Sequence, residues 1–131
     1  NFVKTMLRLG RDRPLLRVVC DQIGGPTPAA DIATACLTIA ATLRQRPDLS
    51  GICHFSGGPD VSWADFAREI FRQADLPCQV QDIPSADYPT TAPRPLNSRL
   101  DTAGLAAFGL SRPDWRTGLA AVLHDLQEVS E

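Results

Sequence analysis

Two polar side chains in predicted loops are the residues of this sequence best suited to hold a ligand. Gln22 follows an apolar, β-branched run, and Arg94 lies in a proline-rich stretch. An arginine presents a rigid fork of donors to phosphate oxygens, whereas a glutamine amide can donate to or accept from a sugar or nucleotide hydroxyl. The competing interpretation is structural: Gln22 caps a turn, and Arg94 is solvated or pairs with Asp87 or Asp101. The residue types alone favour neither interpretation.

Other reactive residue types carry weaker signals. His54 and His124 are the only histidines, and neither has a serine, cysteine or carboxylate nearby in a known catalytic spacing. Structural roles are therefore favoured for both. The Gly57-Gly58 pair follows an apolar run but lacks the G-x-G-x-x-G pattern and a Walker lysine, which favours an ordinary turn over a phosphate loop.

Length, composition and charge set broad limits. A chain of 131 residues fits one domain with a substantial core. With 44% hydrophobic residues, 21% charged residues and a net charge of -2, the sequence is typical of a globular protein. It lacks the basic footprint of a protein that binds nucleic acid or an anionic membrane. We therefore expect no nucleic-acid partner and no membrane partner.

The cysteines and the first residues of the sequence bear on the cellular compartment of the protein. Four cysteines are scattered without a C-x-x-C pair or a metal-ligand spacing: Cys20, Cys36, Cys53 and Cys78. We interpret them as reduced, mostly buried thiols. No leader pattern or apolar run of about 20 residues is present, so we expect a cytoplasmic protein. The sequence opens in a helical pattern at Asn1 without an initiator methionine, which is typical of a cut inside a larger protein.

Hydrophobic periodicity predicts the elements that must position these residues. The first half of the chain reads as a helix that Pro14 stops, a strand over residues 15–20, and a polar turn. Thr27 is the predicted N-cap of a second helix, with Pro28 at its first position, ending near residue 46. Residues 51–55 read as a second strand.

Ser62 and Asp65 give the capping signature of a third helix. Its predicted buried face comprises Trp63, Phe66, Ala67, Ile70 and Phe71. A third strand follows over residues 78–83, and four prolines make residues 84–100 an ordered loop.

Asp101 is the predicted cap of a short helix that Gly109 stops. A last helix starts near residue 113, with an inward face of Trp115, Leu119, Val122, Leu123 and Leu126. The order αβαβαβ, then loop and helices, predicts an α/β or α+β unit.

An ordered series of motifs resembles one enzyme family, the dTDP-4-dehydrorhamnose reductases of the extended short-chain dehydrogenase/reductase superfamily. The matching segments are NFVKTML at 1–7, VVCDQIGGPT at 18–27, GICHFSG at 51–57, SWADFA at 62–67, IPSADYPT at 83–90, RPLNSRLD at 94–101 and PDWR at 113–116. Single segments are weak signals. Their order and spacing cover nearly the whole chain.

The resemblance implies a bacterial enzyme that reduces the 4-keto group of dTDP-6-deoxy-L-lyxo-4-hexulose with NADPH or NADH. Its product is dTDP-L-rhamnose, a precursor of lipopolysaccharide and other cell-wall polysaccharides. Such enzymes use a glycine-rich Rossmann turn and a Tyr-x-x-x-Lys pair, and neither occurs here. Tyr88, the only tyrosine, is followed four residues later by Ala92.

The resemblance therefore implies an α/β fold, the C-terminal substrate-binding part of a Rossmann-like NAD(P)-binding reductase, with about three short strands and four to five helices. Residues 1–131 would form a single substrate-binding domain that lacks the N-terminal dinucleotide-binding region. By motif position, Asn1 and Gln22 would face the nucleotide-sugar, and Arg94 would be a candidate for its pyrophosphate. We expect this piece alone to be inactive, to bind no cofactor and to bind dTDP weakly. Some members bind a divalent metal, and no ligand set for one is identified here.

Two other hypotheses remain open. The first is a non-catalytic nucleotide-sugar-binding or regulatory module of the same fold. The second is a folded fragment that self-associates as a homo-oligomer through surfaces that the missing nucleotide domain normally covers.

Overall fold

A computed structural model of the chain describes residues 1–128, which form helices and strands in the order α-β-β-α-β-α-β-α. The helices are α1 (Phe2–Asp12), α2 (Ala29–Gln45), α3 (Trp63–Gln73) and α4 (Trp115–Glu128), and the strands are β1 (Leu15–Val19), β2 (Ile23–Gly24), β3 (Val61–Ser62) and β4 (Gln79–Ile83). Short 3-10 helices lie at Pro47–Leu49, Ser85–Asp87 and Ala103–Phe108. The predicted α/β class is confirmed.

The two longer strands, β1 and β4, run parallel and place the two loops that follow them side by side. Their register runs from Leu15 opposite Gln79 to Val19 opposite Ile83. The backbone N–H of Cys20 then donates to Ile83 O at 3.0 Å, one residue beyond β1. Because parallel strands end at the same edge of a sheet, the segments after residues 19 and 83 meet there.

The short strands β2 and β3 fix the turn after β1 against the start of α3. They are antiparallel, with Ile23 opposite Ser62. Helix α3 begins where predicted, because the Ser62 hydroxyl accepts a hydrogen bond from Asp65 N at 3.0 Å and so caps the helix.

The core lies between α3, the β1–β4 pair, α1 and α4. The buried face of α3 comprises Ala64, Phe66, Ala67, Ile70 and Phe71. Helix α4 adds Trp115, Leu119 and Leu123, as predicted. Trp63 does not belong to this core: it is 42% exposed because it is the first residue of α3, next to an open cavity.

Three local predictions are wrong. Residues 51–55 form no strand, since no described strand pairs with them, and Ile52 is 92% exposed. The expected alternation of single helices and strands fails because a second short strand, β2, follows β1 before α2 begins. Thr27 does not cap α2: Pro28 occupies the N-cap position without a side-chain hydrogen bond, because the Thr27 hydroxyl bonds elsewhere.

The cysteines are all free, but the expectation that they are mostly buried is wrong. Only Cys78 is buried, and burial raises the pKa of its thiol. Cys20 and Cys53 are half-buried, and Cys36 is exposed because it lies on the solvent side of α2.

The proline-rich segment is the predicted loop, held at its second half by β-type bonds. Ile23 N donates to Leu96 O, and Ser98 N donates to Ile23 O, each at 2.8 Å. After it, Asp101 Oδ1 accepts from Ala103 N at 3.0 Å, and Gly109 ends the short helix with a left-handed φ of 67°. Within residues 1–128, none of the helices combines the length and apolar character needed to cross a bilayer.

Candidate functional site

A cavity of about 560 Å³ opens between the start of α1, the turn after β1, the start of α3 and the first half of α4. Its walls are mainly apolar and aromatic. A few polar residues line it as well: Asn1, Gln22, Thr27, Ser62 and Ser98. A concave, largely apolar site with a few placed polar groups is the usual form of a small-molecule site.

Four aromatic rings form one connected wall of the cavity. The Phe2 ring lies 4.7 Å from Trp63 and 5.5 Å from Phe66, centroid to centroid. Trp115 meets Phe66 edge-on at 5.2 Å. Trp115 is buried, and its indole N–H donates to Pro59 O at 2.8 Å. Trp63 alone of the four keeps much of its ring exposed, so it offers a flat apolar surface to a ligand.

The turn that lines the cavity is held by contact between two glycines and by one threonine. The Thr27 hydroxyl donates to Gly25 O at 2.9 Å and accepts from Gly57 N at 3.0 Å. A Cβ on either glycine would overlap the opposing backbone, that is, the carbonyl oxygen of Gly57 or of Pro26. Gly57 therefore serves close packing, and Gly58 forms an isolated parallel bridge with Asp114.

A charged clamp ties the proline-rich loop to this turn. Arg112 donates to Gly57 O and to the Asp60 carboxylate. The same carboxylate pairs with Arg99 Nε at 3.3 Å. Asp60 thus joins the loop through Arg99 and the segment before α4 through Arg112.

A polar chain lies where β1 and β4 end. The Ser85 hydroxyl donates to Asp21 Oδ1 at 2.6 Å, and Ser85 N donates to both Asp21 carboxylate oxygens at 3.0 Å. These bonds, the hydroxyl first, lower the pKa of Asp21 from its ordinary value. Gln22 Nε2 donates to Ser85 Oγ at 2.8 Å. Sequence reasoning missed Asp21 and Ser85; recognising that β1 and β4 pair would have revealed them.

Two of the three predicted site residues come together, and the third lies apart. Asn1 and Gln22 both line the cavity. The Asn1 side chain is already used as the cap of α1, since its Oδ1 accepts from Lys4 N at 3.0 Å. Arg94 is exposed in the proline-rich loop and is not among the lining residues.

The ion pairs considered for Arg94 do not form in the part of the chain that the structure describes. Asp87 lies 3.9 Å from Arg17, and Asp101 accepts the backbone N–H that starts a 3-10 helix. Arg94 therefore remains available for an anion. Nor do residues 1–128 bring three His, Cys, Asp or Glu side chains together in a way that would hold a metal ion.

Comparison with known proteins decides the family. Residues 1–128 match the family described as RmlD substrate binding domain. This chain belongs to that family. It is 46% identical over 127 residues to dTDP-4-dehydrorhamnose reductase of Aggregatibacter actinomycetemcomitans, covering 91% of this chain and 43% of that protein. It is also 46% identical over 122 residues to the reductase of Sinorhizobium fredii, covering 88% and 41%.

Solved structures of such reductases have the same fold. The Clostridium acetobutylicum reductase superposes with a TM-score of 0.84 at 32% identity, over 97% of this chain and 44% of that one. The Bacillus anthracis reductase, solved in complex with NADP, superposes with a TM-score of 0.81 at 37% identity. The match covers 91% of this chain and 41% of that one. The resemblance seen in the motifs is thus confirmed, and the chain spans less than half the length of the relatives that it matches.

Proposed function

We propose that this chain is the substrate-binding part of a dTDP-4-dehydrorhamnose reductase that reduces dTDP-6-deoxy-L-lyxo-4-hexulose to dTDP-L-rhamnose in the cytoplasm. The observation that carries the proposal is the family match over residues 1–128, together with reductase relatives at up to 46% identity. The cavity supports it, because an aromatic wall and a polar edge suit a ligand that combines a flat base with a hydroxylated sugar.

In this proposal Gln22 and Asn1 face the nucleotide-sugar and Arg94 binds its pyrophosphate. Gln22 lies on the cavity wall with its amide held by Ser85. Asn1 lines the cavity at the start of α1, where its side chain caps that helix. Arg94 stands two residues before Leu96, which is bonded to Ile23 at the cavity edge. A guanidinium there suits paired phosphate oxygens.

The reducing chemistry is proposed to lie elsewhere in the reductase. NADPH or NADH would supply the hydride, and the relative solved with NADP binds such a cofactor. This chain has no glycine-rich dinucleotide turn, and Tyr88 lacks a lysine four residues later. In this proposal, the contribution of the chain is to bind and orient the sugar. Residues 1–131 then form one substrate-binding domain beside a separate dinucleotide-binding region.

The test compares the full reading frame with this chain alone. Each protein is given the 4-keto sugar nucleotide and NADPH, and NADPH oxidation is followed by absorbance. We expect turnover from the longer protein and none from the 131-residue chain. Turnover by the chain alone would refute the division of labour, whereas a longer protein that binds the dTDP-sugar without turnover would favour a non-catalytic binding module.

The role of Arg94 has its own test in the longer protein. Arg94→Ala should weaken the affinity for dTDP and make it less sensitive to salt, because one phosphate contact is lost. Arg44→Ala, at an exposed arginine of α2, is the matched control and should change neither quantity. Equal effects of the two substitutions would exclude Arg94 from the pyrophosphate site.

A further inference from the structure

The orientation of the Gln22 amide follows from the protons available around it. Asp21 is ionised, since its pKa is lowered, and it can only accept hydrogen bonds. Ser85 has one hydroxyl proton, and it is donated to Asp21 at 2.6 Å. The Ser85 oxygen can then only accept, so the group of Gln22 that meets it at 2.8 Å must be the NH₂ end.

The carbonyl end of Gln22 is therefore available to a ligand. A primary amide has one oxygen, and because Ser85 bonds the NH₂ end of Gln22, that oxygen takes no part in the contact. None of the hydrogen bonds within residues 1–128 uses Gln22 Oε1. The residue lines the cavity. A ligand therefore meets an acceptor at this point, even though a glutamine in isolation presents both polarities.

We propose that Gln22 Oε1 accepts a hydrogen bond from an O–H or N–H group of the dTDP-sugar, and that Ser85 and Asp21 are positioning residues that hold the amide in this orientation. The proposal rests on the proposed function, which takes the cavity as the sugar-nucleotide site. It adds to that function the kind of ligand group that Gln22 recognises, namely a hydrogen-bond donor. The hexose hydroxyls, the 3′-hydroxyl of the deoxyribose and the imide N–H of thymine are the donors that such a ligand carries.

The first experiment measures the affinity of the longer protein for dTDP-L-rhamnose by calorimetry. Ser85→Ala should raise the dissociation constant about tenfold, since the amide is freed to rotate away from the productive orientation. Gln22→Met, which keeps the length of the side chain but removes the amide, should do the same. Ser85→Thr keeps the hydroxyl and should restore most of the affinity. Ser50→Ala, at an exposed serine remote from the cavity lining, is the matched control.

A double-mutant cycle separates positioning from general structural support. If Ser85 acts through Gln22, Ser85→Ala should have no further effect on affinity in the Gln22→Met background. Additive losses would overturn the proposal, as would an unchanged dissociation constant in Ser85→Ala. Binding of dTDP itself locates the donor. An equal loss for dTDP and dTDP-L-rhamnose assigns the donor to the thymidine part, and a loss confined to dTDP-L-rhamnose assigns it to the hexose.

A second readout does not depend on the proposed function. In the ¹H–¹⁵N spectrum of the 131-residue chain, the side-chain NH₂ of Gln22 should shift and exchange faster with water in Ser85→Ala and in Asp21→Asn. An unchanged signal would refute the positioning network. If the wild-type longer protein bound no dTDP-sugar, the proposed function and the ligand role of Gln22 would both fail, while the spectrum would still judge the network.

Discussion

Replacing Gly57 by alanine tests whether the wall of the cavity depends on direct backbone contact between two turns. A Cβ added at Gly57 would overlap the carbonyl oxygen of Pro26 and lie 3.3 Å from Trp115 Cβ. The Pro26 atom belongs to the main chain, so it can yield only if the whole turn moves. That turn lines the cavity, so the substitution should both destabilise the fold and widen the site.

The expected size of the effect follows from two opposing contributions. Inserting a carbon into a close-packed contact costs about 1–3 kcal/mol, and a rigid backbone neighbour favours the upper half of that range. Alanine also restricts the unfolded chain, which stabilises the fold by about 0.4–1 kcal/mol where φ permits a side chain. Gly57 is not in the left-handed region, so that gain applies. The net expectation is a loss of about 1–2.6 kcal/mol in the free energy of unfolding.

Gly51→Ala is the matched control, because nothing lies within 4 Å of a Cβ added there and its φ is also outside the left-handed region. It retains the gain from the unfolded chain and lacks the overlap. Urea unfolding followed by tryptophan fluorescence should therefore separate the two variants by about 2–3 kcal/mol, the cost of the overlap alone. If both unfold at the same urea concentration, the overlap is relieved without cost and the reasoning is refuted.

Three further predictions concern the elements that support the site. Ser62→Ala removes the cap of α3 and should lower the free energy of unfolding by about 1 kcal/mol, measured by urea unfolding. Ile70→Ala, at a fully buried position, should cost about 2–5 kcal/mol in the same assay, whereas Ile52→Ala, at a 92% exposed position, should change it by less than about 0.5 kcal/mol. The hydrogen bonds from Arg72 lower the pKa of Glu69 from 4.5 to about 2. The contribution of ionised Glu69 to the free energy of unfolding is therefore fully present above pH 4.5 and is lost as the pH falls towards 2. Because Arg72 is largely exposed, that contribution should be about 1 kcal/mol or less, and Glu69→Gln should remove this part of the acid dependence of the melting temperature.

Equal losses in Ile70→Ala and Ile52→Ala would contradict the assignment of the core to α3. A Ser62→Ala protein as stable as the wild type would mean that water or Asp65 replaces the cap without cost. For Glu69, an acid transition of unchanged depth in Glu69→Gln would show that other carboxylates account for it.

The helices could be predicted from the sequence because their signals are local. Apolar spacing, the Ser62 cap and the stop at Gly109 all act within a few residues, and each is found in the structure. The sequence does not show in the same way which distant group a side chain will bond in the folded chain. Thr27 has the residue type of a helix cap, but its hydroxyl bonds Gly25 and Gly57 instead, and the latter is 30 residues away.

The strand predicted over residues 51–55 shows the limit of apolar patterning more sharply. A strand has no hydrogen bonds of its own and exists only beside another strand, whereas a helix closes its bonds internally. Within residues 1–128 this segment has no strand neighbour, and Ile52 is left 92% exposed. The apolar pattern thus indicates that these residues are suited to form a strand where another strand lies beside them. In the proposed reductase, the dinucleotide-binding region would be the place to look for such a neighbour.

Gln22 shows why residue type can indicate a candidate site residue but not the polarity that it presents. An amide offers a donor and an acceptor, so the sequence left both hydroxyl recognition and turn capping open for it. The choice is made by Ser85, which lies 63 positions away in sequence and is brought to Gln22 only because β1 and β4 are parallel. Asp21 accepts the one hydrogen bond that the Ser85 hydroxyl can donate, and the serine oxygen in turn orients the amide. In the proposed site, the polarity at this position therefore depends on strand pairing, and substitutions at Ser85 or Asp21 should alter it without changing Gln22 itself.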